Sequence, residues 1–94
     1  MEELGVPEAV SSAEKSAEIL RAWIVDGGLV CSISARIWED PSTWGLLLAD
    51  IARHVSDALH GSRGLPTDET LRQISHMFNI ELKFPTDEPT GGFA

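Results

Sequence analysis

An α+β domain, two strands followed by two helices, is the fold class this sequence predicts, and three features predict it. Two runs rich in β-branched and aromatic residues flank Asp26-Gly27-Gly28, a turn signal. From Trp44 to Leu59 apolar residues recur at the i, i+3, i+4, i+7 spacing of an amphipathic helix. A second stretch with that period follows the glycine- and proline-bearing loop at 61–66. At 94 residues and 10.2 kDa the chain holds one core at most. The expected architecture is ββαα, an antiparallel hairpin with two helices packed on one face.

The first strand is expected over residues 19–25 and the second over 29–38. In the second, Leu29, Cys31, Ile33, Ala35 and Ile37 alternate with Ser32, Ser34 and Arg36, the period of a half-buried strand. Asp26-Gly27 suits a two-residue loop, since that turn demands positive φ at both positions. This choice pairs Ile24 with Leu29, Ala22 with Cys31 and Leu20 with Ile33, all apolar on one face. A three-residue loop would set Arg21 opposite Ile33 and bury a charge. A Gly27-Gly28 loop keeps the same faces and stays open as an alternative.

The first helix begins at Asp40-Pro41. Asp40 can cap exposed amides, and Pro41 at the first helical position forfeits no needed hydrogen bond. Its apolar stripe is Trp44, Leu47, Leu48, Ile51, Ala52, Val55, Ala58 and Leu59, with Gly61 as the expected C-terminal cap. The second helix is expected from Thr67, its candidate cap, to about Leu82, with Leu71, Ile74, Met77, Phe78 and Leu82 as its stripe. Pro85 ends it. The chain thus divides into a flexible acidic arm at 1–17, a compact ββαα domain at 18–84 and a disordered tail at 85–94.

The strand 20–24, the stretch Trp38-Glu39-Asp40-Pro41-Ser42-Thr43-Trp44-Gly45 running on through Leu48-Ala49-Asp50 to Arg53-His54-Val55, and the ending at 85–91 resemble a small bacterial family known only as a domain of unknown function. The stretch from Trp38 to Val55 is the specific part. The resemblance implies a stand-alone bacterial cytoplasmic protein of this size and attaches no activity to it.

Composition excludes several classes. Seven Lys+Arg against fifteen Asp+Glu leave a net charge of −8, which argues against nucleic-acid binding. Most of the acidic excess lies in the ends, where Glu2, Glu3, Glu8, Glu14 and Glu18 face only Lys15, and Asp87 and Glu88 face no base. One cysteine permits no internal disulfide and no multi-cysteine zinc site. No apolar run approaches the roughly 20 residues of a membrane span, and Met1-Glu2-Glu3 lacks a basic leader. The expectation is cytoplasmic, with no cofactor and no membrane partner.

Candidate chemistry is sparse. Asp50, His54 and Asp57 project within about 60° of helical arc but spread along roughly 10 Å of axis, a poor metal cage. A solvated face with Asp50–His54 and Arg53–Asp57 pairs is the plainer reading, and no metal is expected. Cys31 has no partner for nucleophilic chemistry and points toward the apolar face. Trp38 and Trp44 flank the helix start, where they pack the strand end against the helix or line a small-ligand pocket. Trp23 shares the hairpin's other face with Ile19, Val25 and Val30, so a second apolar face needs a cover. The reading is a non-catalytic, self-associating binding or structural module, a homodimer through Trp23, Val25 and Val30 or through the free hairpin edge. The rival cover is the chain's own segment Leu4-Gly5-Val6 or Phe84. A separate protein partner for the acidic ends is possible. The alternative function is a small-ligand binder or minor enzyme using Trp38, Trp44, Asp50, Arg53 and His54.

Overall fold

The computed structural model describes residues 3–86 and the backbone of 90–93. In chain order the elements are α1 (Glu8–Ser11), β1 (Leu20–Val25), β2 (Gly28–Ile33), α2 (Ser42–Arg63), α3 (Thr67–Lys83) and β3 (Thr90–Phe93). The ββαα order is the one expected from the sequence.

The hairpin adopts the two-residue loop. Asp26 and Gly27 take φ of 49° and 83°. The register pairs Leu20 with Ile33, Ala22 with Cys31 and Ile24 with Leu29, and on the opposite face Trp23 with Val30. Period-two patterning and turn chemistry agree here, which is why local sequence sufficed. The second strand is shorter than expected. It ends at Ile33, after a hydrogen bond from the Ser34 amide to the Ile19 carbonyl at 2.9 Å. The alternation through Ala35 and Ile37 has no opposing residue, because β1 begins only at Leu20. Trp38 therefore sits on a connecting elbow and not on a strand.

Residues 85–94, expected as a tail, contribute a strand: β3 lies parallel to β2, with Val30 opposite Thr90 and Ile33 opposite Phe93. Residues 87–89 and 94 of that segment lie outside the described residues, as do 1 and 2 of the arm. The sheet order is β1-β2-β3, so β3 occupies the outer edge of β2. Within the arm, α1 makes a single turn.

Asp40 caps α2 as expected: its Oδ1 accepts the Ser42 amide at 2.9 Å, and Pro41 already has helical φ and ψ of −57° and −27°. This pulls the Asp40 carboxyl below its ordinary value, through the Ser42 amide first and the Ser42 side chain second. Two helix ends differ from expectation. Helix α2 runs through Gly61 and closes at Gly64, which has φ of 70° and donates its amide to the His60 carbonyl at 2.8 Å. His60 and Arg63 suit the negative C-terminal end of the helix. The His60 ring, protonated at Nδ1, donates to the Leu65 carbonyl at 2.9 Å and ties down the loop. Thr67 does not cap α3. Pro66, in extended conformation, precedes the helix without a side-chain acceptor. In the first turn the Arg72 guanidinium and the Gln73 amide hydrogen-bond to Glu69, holding its carboxyl below the usual range.

The two helices meet where small polar residues let them approach. Ser56 is 2% exposed and its Oγ donates to the Thr67 carbonyl at 2.7 Å, while Thr70 is buried beside it. Among the described residues these two are the only buried side chains, and no apolar residue is buried. The reason is the arrangement of the halves. Strands contact strands and α2 contacts α3, but among the described residues no strand comes within 8 Å of either helix, Cα to Cα. The helical cover expected over the hairpin face is not supplied within the chain. A radius of gyration of 15.0 Å records this, against about 12 Å for a compact domain of the same length.

Candidate functional site

Two hollows and one aromatic pair gather the residues of interest. The first hollow is a groove of about 330 Å³ between the helices. Its α2 wall is Gly45, Leu48, Ala49, Ala52 and Arg53, and its α3 wall is Leu71, Ile74, Ser75, Phe78 and Asn79. Both sets follow the i, i+3, i+4, i+7, i+8 spacing of one helical face. Gly45, Ala49 and Ala52 are too small to reach the opposite wall, so the space between the helices stays unfilled. Leu48 and Phe78 at its rim are exposed.

The second hollow, about 650 Å³, lies between the N-terminal arm and β1. Leu4, Val6, Pro7 and Val10 line it with Leu20, Ala22 and Trp23. Arg21 holds this region together. Its guanidinium lies 3.0 Å from Glu18, 3.7 Å from Glu3 and 5.2 Å from the centre of the Trp23 ring. Each of these ion pairs is exposed and contributes little alone. The arm does not cover Trp23 as the rival reading required, since Leu4 is 97% exposed. Trp23 and Val30 are half-buried and Val25 is exposed.

Trp38 and Trp44 meet edge to face, with ring centroids 5.1 Å apart and planes at 74°. Both are half-buried. The pair braces the elbow between β2 and α2, and neither ring lines a described hollow. Asp50, Arg53 and His54 are exposed on α2. The structure separates them: Arg53 enters the groove wall, while Asp50 and His54 face solvent. The expected Asp50–His54 and Arg53–Asp57 pairs are not formed; the ion pairs among the described residues are those of Arg21 and the Arg72–Glu69 pair. No group of three His, Cys, Asp or Glu side chains among the described residues could hold a metal ion. No described helix is long and apolar enough to cross a membrane.

Sequence reasoning missed the groove itself. Leu71, Ile74 and Phe78 read as ordinary core, and Arg53 was singled out only for the polar face. The run of small residues at Gly45, Ala49 and Ala52 was the sign that a wall of α2 would leave space.

Fold and site together define a small α+β protein whose sheet and helix pair each present, among the described residues, a partly exposed apolar face. The chain belongs to the family described as "Domain of unknown function (DUF5076)", which matches residues 3–86. It is similar to a solved structure from the photosynthetic bacterium Rhodopseudomonas palustrus CGA009, provisionally named a pyruvate dehydrogenase. The two are 41% identical over 96% of this chain and 92% of that one, with a TM-score of 0.72. No curated protein matches the chain.

Proposed function

We propose that this chain is a non-catalytic, self-associating binding or structural module that works as a homodimer in the bacterial cytoplasm. One observation carries the reading: no described apolar side chain is buried by the chain alone, while Ile24 is 73% and Leu82 69% exposed. Apolar surface on that scale, on a folded chain, marks an interaction face. The Trp23–Val25–Val30 face offers one such surface. The outer edge of β1 offers another, since β3 occupies only the β2 side of the sheet. A bacterial source is supported by the Rhodopseudomonas structure.

Sedimentation equilibrium tests the reading. A species of twice the 10.2 kDa chain mass is expected in the micromolar range. A single-chain mass persisting at high micromolar concentration would defeat it.

A second reading, a small-ligand binder or minor enzyme, is favoured by Arg53, a cation in an otherwise largely apolar groove. The dehydrogenase name of the Rhodopseudomonas protein belongs with this reading. Adding divalent metals and a panel of small carboxylic acids should leave the resonances of Arg53, Asp50, His54 and the tryptophans unmoved if the module reading holds.

A further inference from the structure

We propose that two copies of this chain exchange halves, the apolar sheet face of each seating against the α2–α3 groove of the other. The proposal rests on the self-association reading and goes further by placing the contact on the hairpin face opposite Trp23 and on the groove between the helices.

Each surface is of the kind the other lacks. Leu20, Ala22, Ile24, Cys31 and Ile33 share one face of the hairpin. A sheet with such a face is stable when a helical layer covers it. Leu48, Leu71, Ile74 and Phe78 line the groove, and amphipathic helices likewise need an apolar layer against their stripe. Among the described residues neither surface covers the other at home, because no strand approaches α2 or α3; only Leu20 and Ala22 also border the hollow beside the N-terminal arm.

Closing the chain on itself is opposed by the elbow. The Trp38–Trp44 pair and the Asp40 cap fix the end of the connection at the start of α2, residues 38–44, in the conformation in which the halves stand apart. Folding the hairpin back onto its own helices would have to reverse the chain within the short segment 34–37 between β2 and that brace. A second copy reaches both faces with the elbow intact.

The area agrees. The chain exposes 8156 Å², whereas a compact monomer of this mass exposes about 5,300 Å². The excess exceeds the roughly 1,000–2,500 Å² per partner that obligate interfaces bury. The exposed arm at 3–18 carries part of the remainder. Other two-fold arrangements cover less. A hairpin-to-hairpin dimer leaves the groove open, and a helix-to-helix dimer leaves the Ile24 face in water. Reciprocal exchange covers both with one contact made twice around the axis.

The native Cys31 lies on the sheet face, so a thiol in the groove reports the geometry directly. Three chains are compared under mild oxidation on non-reducing gels: the wild type, Ser75→Cys, and Ser75→Cys combined with Cys31→Ser. Asn79→Cys serves as a second groove position, and circular dichroism confirms that each variant keeps its helices. The expected result is a disulfide-linked species of twice the chain mass only where Cys31 and a groove thiol are both present. Linkage in the wild type would place hairpin on hairpin and overturn the proposal. Linkage with the groove thiol alone would place helix on helix and overturn it equally. So would an internal disulfide at single-chain mass, or no disulfide in a protein that sediments as a dimer. A single-chain mass in sedimentation would instead remove the self-association reading beneath it.

Discussion

Replacing two glycines three residues apart, one in the last turns of α2 and one at its C-terminal cap, should move stability in opposite directions. Gly61 lies inside the helix and an added Cβ there meets nothing within 4 Å. Gly61→Ala therefore gains the helix propensity that glycine forfeits, about 0.8–1 kcal/mol. Gly64 also has open space around its Cβ position, but its φ of 70° is left-handed. An L-residue there costs about 1–2 kcal/mol. The narrower unfolded ensemble of alanine returns about 0.4–1 kcal/mol, so Gly64→Ala should lose about 1 kcal/mol net. The two variants should differ by about 2 kcal/mol, which for a chain of this size separates their melting temperatures by roughly 8–16 °C. Thermal unfolding followed by circular dichroism reads this, at one fixed protein concentration, since association would shift both midpoints. If Gly61→Ala destabilises and Gly64→Ala does not, the helix closes at Gly61 and the reasoning is refuted.

Trp44→Ala removes a half-buried indole and its edge-to-face partner, and should cost about 3–4 kcal/mol in urea unfolding, at the lower end for a core tryptophan. With Trp38→Ala in a double-mutant cycle, a coupling of about 1 kcal/mol is expected; strict additivity would show that the ring contact contributes nothing. Asp40 has a folded-state pKa below its ordinary value of 3.8, so its stabilising effect is present above that value and fades as pH falls through the lowered one. Asp40→Asn should flatten part of the acid limb of the stability–pH profile, with Glu69 supplying a contribution of the same sign. An unchanged limb in Asp40→Asn would show that the cap does not titrate with folding.

How much of this was legible in the sequence depended on range. The hairpin register followed from alternation at 29–33 and from Asp26-Gly27, because turn geometry and side-chain period are properties of adjacent residues. The Asp40-Pro41 start of α2 was legible for the same reason. Of the candidate site, the Trp38–Trp44 meeting was foreseen, whereas Asp50 and His54 were grouped with Arg53 by helical spacing although only Arg53 lines the groove.

What the sequence by itself determined is the set of elements and the face each one wants to bury. Only the tertiary structure decided where β2 stops, because alternation beyond Ile33 needs an opposing residue and β1 does not extend far enough to supply one. It alone chose Gly64 over Gly61, two glycines that the one-dimensional pattern cannot rank and that helix length and loop closure through His60 separate. It also decided that the sheet and helix faces do not meet within one chain. An apolar stripe records that a surface must be covered; which surface covers it depends on the path of the connecting elbow, and that path is set by contacts between residues with no common period.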